Sequence, residues 1–131
     1  MKKTISLFVA ILAFSFASTA QGVITFKKVN HDFGKVKEGE KAVYTYEFTN
    51  TGDAPIVISN AQPSCGCTTP SWTKTPVLPG KTGSVTASFD SSGKPGAFNK
   101  NVTVTSNATV GSISLSFKGE VLPKAAVKAQ K

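Results

Sequence analysis

The stretch Tyr44-Thr45-Tyr46-Glu47-Phe48-Thr49 alternates aromatic and polar residues with a period of two, and Asn50-Thr51-Gly52-Asp53 follows it. Successive side chains of an extended strand point to opposite faces, so the three aromatic side chains share one face. The pattern predicts a strand with one buried and one hydrated face. Because Asn, Gly and Asp favour turns, the strand is expected to end there and lead into a second strand at Pro55–Ser59.

The same alternation recurs along the rest of the chain, which shows no helical periodicity after Gln21. A turn-rich segment is expected at Gly34–Lys41. Six or seven short strands separated by turn signals within about 100 residues predict an all-β fold, an antiparallel β-sandwich of about seven strands. Further strands are predicted at Val23–Lys27, Ser84–Phe89, Phe98–Thr105 and Ser112–Lys118.

The first twenty residues have the pattern of an export signal. Lys2 and Lys3 precede an apolar run, Ile5–Ala17, and the small residues Ser18-Thr19-Ala20 follow it. A basic tip, a short apolar stretch and small residues before a cut are typical of a secretory signal peptide, here predicted over residues 1–20. The run is shorter than the roughly 20 residues that a membrane span needs. We therefore expect cleavage, no membrane span afterwards, and a periplasmic or secreted protein.

The remaining residues suit one domain, because single domains most often contain about 100 to 150 residues. The sandwich is expected to span residues 21–122, and the small, basic segment 123–131 to form a flexible tail. All fifteen basic residues are lysines, and loss of two with the leader leaves thirteen against seven acids, a net charge of +6. Scattered lysines without arginine argue against a nucleic-acid partner, since base and phosphate recognition relies on the bidentate guanidinium.

The only two cysteines lie one residue apart in Pro63-Ser64-Cys65-Gly66-Cys67-Thr68-Thr69-Pro70. In an exported protein they can close on each other, because a bend brings their Cα atoms within the roughly 4.4–6.8 Å that a disulfide requires. We expect Gly66 to make the bend accessible, and Thr68 and Trp72 to support the loop. So small a loop removes little unfolded-state entropy, so the bond would stabilise the fold weakly and be easily reduced. The pair is either a thiol–disulfide site or an inert clip.

Two neighbouring thiolates also suit copper(I), or zinc with further ligands. The one histidine, His31, could join Cys65 and Cys67 as a third ligand. It stands next to Asp32 at an expected turn, however, where a capping or exposed side chain is the simpler interpretation. The sequence therefore predicts no bound metal or other cofactor, with these three residues as the alternative ligand set.

No catalytic constellation accompanies the cysteines. A nucleophilic thiol needs a base within hydrogen-bond reach and a third group to orient that base, and His31 is the only histidine. The sequence has no Gly-x-Ser-x-Gly elbow, His-Glu-x-x-His helix or phosphate-binding loop. We therefore expect that the protein is not an enzyme.

Several motifs occur together in one order: His31–Val36, Tyr46–Gly52, Pro55–Ile58, Pro63–Thr68 and Gly93–Asn107. Over roughly residues 26–121 the chain thereby resembles a secreted bacterial family catalogued as domain of unknown function 1573. The Ser-Cys-Gly-Cys-Thr block is the most specific part of the match. The resemblance implies an immunoglobulin-like β-sandwich exported from the cytoplasm, with no assigned activity. The Cys, Trp, Cys spacing of antibody domains is absent, so no antibody-like function follows.

These patterns together predict an exported, non-enzymatic binding or structural module whose partner is an extracytoplasmic protein or a cell-envelope component. The alternative is a periplasmic thiol–disulfide redox or copper(I)-handling protein that uses Cys65 and Cys67. A third hypothesis is that an exposed edge strand of the sandwich pairs with a partner.

Overall fold

The computed structural model describes residues 20–124. The predicted leader and the predicted tail, residues 1–20 and 123–131, fall almost entirely outside this range. All eight elements defined within it are β-strands: β1 (Ile24–Phe26), β2 (Asn30–Lys37), β3 (Lys41–Asn50), β4 (Ile58–Pro63), β5 (Thr68–Trp72), β6 (Thr82–Asp90), β7 (Gly96–Ser106) and β8 (Ser112–Leu122).

The strands form two four-stranded sheets. Sheet 1 has the order β1-β3-β6-β5, and sheet 2 has the order β2-β8-β7-β4. Five of the six strand pairs are antiparallel, whereas β2 runs parallel to β8. The N-terminal segment pairs first with sheet 1 through β1 and then with sheet 2 through β2. This arrangement confirms the predicted all-β, immunoglobulin-like sandwich, with eight strands instead of about seven.

The core lies between the sheets and is built from the inward-facing positions of the alternating strands. Tyr46 and Phe48 of β3 are almost completely buried, as their alternation predicted. The Tyr46 hydroxyl donates across the core to the Ser116 carbonyl at 2.7 Å, and burial raises the pKa of Tyr46 to about 12. Phe89 of sheet 1 stacks on Phe98 of sheet 2 with ring centroids 4.5 Å apart. Interdigitation of such side chains holds the two sheets together.

Two edge strands, β2 and β5, were not predicted, and the expected turn at Gly34–Lys41 is wrong for its first half. The pairing register of β2 shifts between Asp32 and Lys35, and Gly34 has a φ of 67°. This bulge interrupts the alternation of inward and outward side chains, so the sequence of β2 does not show the pattern of a strand. The strand expected at Pro55–Ser59 was also misplaced. Its first residues make only an isolated bridge, and β4 begins at Ile58.

Asn50 anchors the turn that follows β3. Its side chain is fully buried, and Nδ2 donates to the carbonyls of Ala54 at 2.7 Å and Val77 at 2.9 Å. Its Oδ1 accepts from the backbone N–H of Gly52 at 3.0 Å and of Val23 at 3.4 Å. One amide thus satisfies four backbone groups from three segments. The residue that the sequence marks only as a turn former is a structural hub.

We predict that Asn50→Ala lowers the free energy of unfolding by about 3 kcal/mol or more, because each buried group left unpaired costs about 1–3 kcal/mol. Asn50→Asp keeps the size but places a carboxylate against two carbonyls, and we expect it to be destabilised too. Urea unfolding measures both, with the exposed Thr51→Ala as control. An Asn50→Asp variant as stable as the wild type would show that the two hydrogen bonds donated by Nδ2 do not stabilise the fold.

Candidate functional site

The cysteines lie where the chain crosses from one sheet to the other. β4 is an edge strand of sheet 2 and β5 is an edge strand of sheet 1, and the short segment between Pro63 and Thr68 joins them. Within it, a disulfide joins Cys65 to Cys67, whose Cα atoms are 5.4 Å apart. The disulfide therefore closes a three-residue loop at the side of the sandwich that is formed by the edge strands β4 and β5.

Backbone hydrogen bonds fix both ends of this loop independently of the disulfide. The N–H of Ser64 donates to the Asn101 carbonyl at 2.8 Å, and the N–H of Asn101 donates to Ser64 Oγ at 3.0 Å. At the other end, the N–H of Asp90 donates to the Cys67 carbonyl at 2.9 Å. Since strands β7 and β6 hold the loop ends, opening the sulfur–sulfur bond leaves these anchors in place.

Gly66, at the tip of the loop, does not have the role expected from the sequence. Its φ is not among the positive values found at other glycines, so the bend needs no conformation special to glycine. A Cβ atom built on Gly66 would meet no atom within 4 Å. The glycine instead leaves the tip bare and exposed beside the two sulfur atoms.

Thr68 is the expected support residue that contacts a cysteine. It is 3% exposed, and its hydroxyl donates to Cys65 Sγ at 3.9 Å, its one hydrogen bond among the described residues. Trp72 is not brought to the loop. It lies at the far end of β5, packs against the core, and has Lys74 Nζ 3.1 Å from its ring centroid.

An open groove of about 700 Å³ lies beside the disulfide on the outer face of sheet 1. Thr69 and Ser71 project into it because alternate side chains of β5 point outwards. Hydrogen bonds from Ser92, aided by two nearby lysines, hold the pKa of Asp90 below its usual range. We call this open groove the cysteine groove. Its lining consists of Lys41, Cys65, Gly66, Cys67, Thr69, Ser71, Ser88, Asp90, Ser92 and Lys94.

The sequence could not identify these groove residues as a group, since they come from β3, β5, β6 and the following turn. Lys41 pairs with Asp90 across β3 and β6, and Thr69 pairs with Ser88 across β5 and β6. With Lys94, the groove has two cationic side chains against one carboxylate. Its surface can therefore attract anionic groups and hydrogen-bond to polar ones.

Two prolines block backbone pairing at the strand edges that flank the loop. In β5, alternate residues direct their backbone groups towards β6. Cys67 bonds to Asp90 and Thr73 bonds to Ser84, so Pro70 directs its backbone away from β6, to the unpaired edge of the sheet. In the same way, the Ser64 bond to β7 puts Pro63 on the open side of β4. Proline has no N–H to offer an added strand. Each proline therefore removes one backbone hydrogen bond that an added strand would need, which disfavours strand addition on this side.

His31 lies on the opposite side of the molecule from the cysteines. It belongs to β2, which is separated from β4 by β8 and β7, a distance of about 14 Å at the usual strand spacing. It lies in a strand, not at the expected turn, and its ring stacks on Tyr44 with centroids 3.7 Å apart. Its Nδ1 is buried without a hydrogen-bond partner among the described residues. Burial is the main cause that lowers the pKa of His31, and the positive charge of Lys28 lowers it further. The negative charge of Asp32 acts in the opposite direction.

The structure therefore does not assemble the alternative ligand set of Cys65, Cys67 and His31. Between residues 20 and 124, no group of three or more His, Cys, Asp or Glu side chains is placed to hold a metal ion. Within the same range, no helix is long and apolar enough to cross a bilayer.

A sequence profile described as "Protein of unknown function (DUF1573)" matches residues 24–121. No curated protein matches the chain in sequence. Among solved structures, a protein of unknown function from Porphyromonas gingivalis W83 is similar, with a TM-score of 0.67 and 18% identity over 82% of this chain and 51% of that one. This chain thus spans about half the length of that protein.

Two further solved structures share the fold. The ASH / PapD-like domain 7 of human CEP192 has a TM-score of 0.62 and 12% identity, covering 92% of this chain and 99% of that one. The secreted serine protease VesC from Vibrio cholerae has a TM-score of 0.56 and 15% identity, covering 75% of this chain and 23% of that one. At these identities the similarity shows the fold alone.

We predict that acidification destabilises the protein through His31. The unfolded chain takes up a proton near pH 6.5, whereas the folded pKa is lower, so stability is lost as the pH falls from above 6.5 towards the folded pKa. Urea unfolding between pH 7.5 and pH 5 should show this loss in the wild type. His31→Phe retains an aromatic ring over Tyr44 and should flatten the profile. Equal slopes for both proteins would contradict this account.

We also predict that the double variant Cys65→Ser/Cys67→Ser still folds. A loop of three residues contributes about 1.5 kcal/mol at most to stability through unfolded-state entropy. Urea unfolding of the variant should therefore show a loss of about that size, and the reduced wild type provides the matched control. Failure of the variant to fold, or a loss above about 3 kcal/mol, would show that the disulfide is a structural staple.

Proposed function

This chain belongs to the DUF1573 family of proteins of unknown function, and we propose that it is an exported, non-enzymatic module that binds an extracytoplasmic polypeptide in the cysteine groove. The observation that carries the proposal is the groove itself. It combines an open volume of about 700 Å³ with hydroxyl groups, two lysines and a disulfide in one wall. Ligand sites in proteins fall within about 300–1,000 Å³.

The chemistry of the groove supports a polar, acidic segment as its ligand. Thr69 and Ser71 offer hydroxyl groups that donate to carbonyls or accept from amides. Lys41 and Lys94 add positive charge for a carboxylate. Because Pro63 and Pro70 disfavour strand addition at this side, we expect recognition to rely mainly on these side chains.

One residue of the cysteine groove argues against general acid catalysis there. Asp90 accepts hydrogen bonds and has a lowered pKa, so it stays ionised at neutral pH and is a poor general acid. Export is supported by the leader pattern of residues 1–20 and by the disulfide, since disulfides persist mainly in oxidising compartments.

We predict that a photo-crosslinking amino acid at Thr69 captures a partner in the export compartment, whereas the same group at Thr103, on the exposed face of sheet 2, does not. Adding Lys41→Glu and Lys94→Glu should reduce the Thr69 adduct about tenfold or more, because like charges then face an acidic ligand. Mass spectrometry identifies the adduct. Equal labelling from both positions, or an adduct unaffected by the charge changes, would contradict the groove as the binding site. An adduct with a lipid or glycan would show that the ligand of the groove is another envelope component and not a polypeptide.

A second candidate is thiol–disulfide exchange at Cys65 and Cys67. It is favoured because the disulfide borders an open groove, while hydrogen bonds to β6 and β7 hold the loop ends without it. A reversible bond needs both access and independence from the fold. Copper(I) handling, the other use of the pair, would require the reduced thiolates and has no third ligand from His31.

A further inference from the structure

We propose that the Thr68 hydroxyl stabilises a thiolate on Cys65, so that an incoming thiol attacks Cys67 Sγ and Cys65 leaves. This inference rests on the second candidate function, thiol–disulfide exchange. It assigns a different role to each of the two sulfur atoms and a positioning role to a buried threonine.

The buried hydroxyl of Thr68 has an unusual hydrogen-bond partner. Buried polar groups nearly always have a good hydrogen-bond partner, and Thr68 is 3% exposed. Its hydroxyl donates to Cys65 Sγ at 3.9 Å and, among the described residues, to no oxygen or nitrogen. A neutral sulfur is a weak acceptor. The hydroxyl is therefore poorly satisfied while the disulfide is closed.

Opening the bond with the charge on Cys65 improves this pairing. A thiolate is an anion, and hydrogen bonds to ionised groups are about twice as strong as neutral ones. The donor is already placed where the charge develops, which is the arrangement that stabilises a transition state without reorganisation. The pairing of Thr68 with Phe89 of β6 holds the Thr68 backbone in β5 and keeps its hydroxyl near Cys65.

Cys67 Sγ has no equivalent donor among residues 20–124. Its side chain packs against the hydrophobic core, and its carbonyl is engaged with the N–H of Asp90. An apolar surrounding disfavours the thiolate. The leaving thiolate should therefore be that of Cys65, and Cys67 should carry the mixed disulfide.

The exchange balances with a protein dithiol as the reductant. One thiolate of the dithiol attacks Cys67 Sγ, the Cys65–Cys67 bond breaks, and Cys65 departs as a thiolate that takes a proton from solvent. The second thiol of the dithiol, as a thiolate, then attacks the dithiol sulfur that is bonded to Cys67. That bond breaks, and Cys67 departs as a thiolate that takes a proton from solvent. The dithiol becomes a disulfide, and Cys65 and Cys67 become two thiols. Lys41 and Lys94 in the groove favour a dithiol flanked by acidic residues.

The first test locates the mixed disulfide with reduced glutathione as the probe. The wild-type protein is treated with glutathione for short, graded times, and excess N-ethylmaleimide then quenches the reaction and caps every free thiol. We expect the singly exchanged protein to carry glutathione on Cys67 and maleimide on Cys65, as assigned by tandem mass spectrometry of the loop peptide. Glutathione mainly on Cys65 would overturn the assignment.

The second test measures the role of Thr68 through thiol acidity. The Cys67→Ser variant keeps Cys65, and its rate of alkylation by iodoacetamide as a function of pH gives the pKa of that thiol. We expect alkylation to reach half its maximum at a lower pH than for Cys67 in the Cys65→Ser variant. Adding Thr68→Val should raise the half-maximum pH of Cys65 alkylation and so reduce the difference, and Thr68→Ser should retain it. No effect of Thr68→Val on this pH profile would refute the positioning role.

The third test uses the intact disulfide. Thr68→Val should slow reduction by dithiothreitol about tenfold, because the hydroxyl contributes a hydrogen bond to a charged sulfur. Thr68→Ser should react at nearly the wild-type rate, and far-ultraviolet circular dichroism checks that both variants fold. Equal rates for wild type and Thr68→Val would refute the Thr68 assignment while leaving exchange possible. A wild-type disulfide that dithiothreitol and glutathione do not open would instead refute the exchange function.

Discussion

The passage of the chain between two sheet edges is the constraint on which the candidate site depends. Sheets of a sandwich lie about 10 Å apart, and the segment between Pro63 and Thr68 must cover that gap. It is tied to β7 at its start and to β6 at its end by backbone hydrogen bonds. None of these hydrogen bonds involves a sulfur atom, so we expect the crossover to keep its position when the disulfide opens. A covalent bond on which the fold does not depend would be available for chemistry.

The same crossover sets the environment of each sulfur atom. Thr68 is the first residue of β5, so its side chain turns into the sandwich directly after the loop and remains close to Cys65. The next residue, Thr69, points the other way and enters the cysteine groove. A single strand thus supplies a buried donor to the disulfide and a polar wall for a ligand. Binding in the groove and exchange at the disulfide are compatible, because a polypeptide held there would lie beside the bond.

The fold could be predicted because the central strands obey a strict alternation. Tyr46 and Phe48 identify the buried face of β3, and the other long strands repeat the pattern. Two of the four edge strands, β2 and β5, could not be found, because β2 contains a bulge near Gly34 and β5 is short and polar. Edge strands bury less apolar surface, so their sequences are less constrained by the core. One of these two strands, β5, directly follows the cysteines.

The site was predictable only in part. The cysteine pair stands out in the sequence, but the roles of its neighbours depend on contacts that sequence distance does not give. Trp72 follows the loop closely yet packs elsewhere, and Gly66 has no conformational need to be glycine. Thr68 was expected to support the loop, whereas its single hydrogen bond to sulfur appears only in three dimensions. The lysines of the groove come from distant segments that strand pairing brings together.

Reversibility of the Cys65–Cys67 disulfide is the claim on which both thiol–disulfide exchange and the proposed role of Thr68 depend. It is tested most directly by equilibrating the exported protein in glutathione buffers of graded composition, quenching with an alkylating agent and measuring the intact mass. The account predicts a transition from no label to two labels within the range of the glutathione buffers. A protein that remains unlabelled in every buffer, as expected of a structural disulfide, would contradict it.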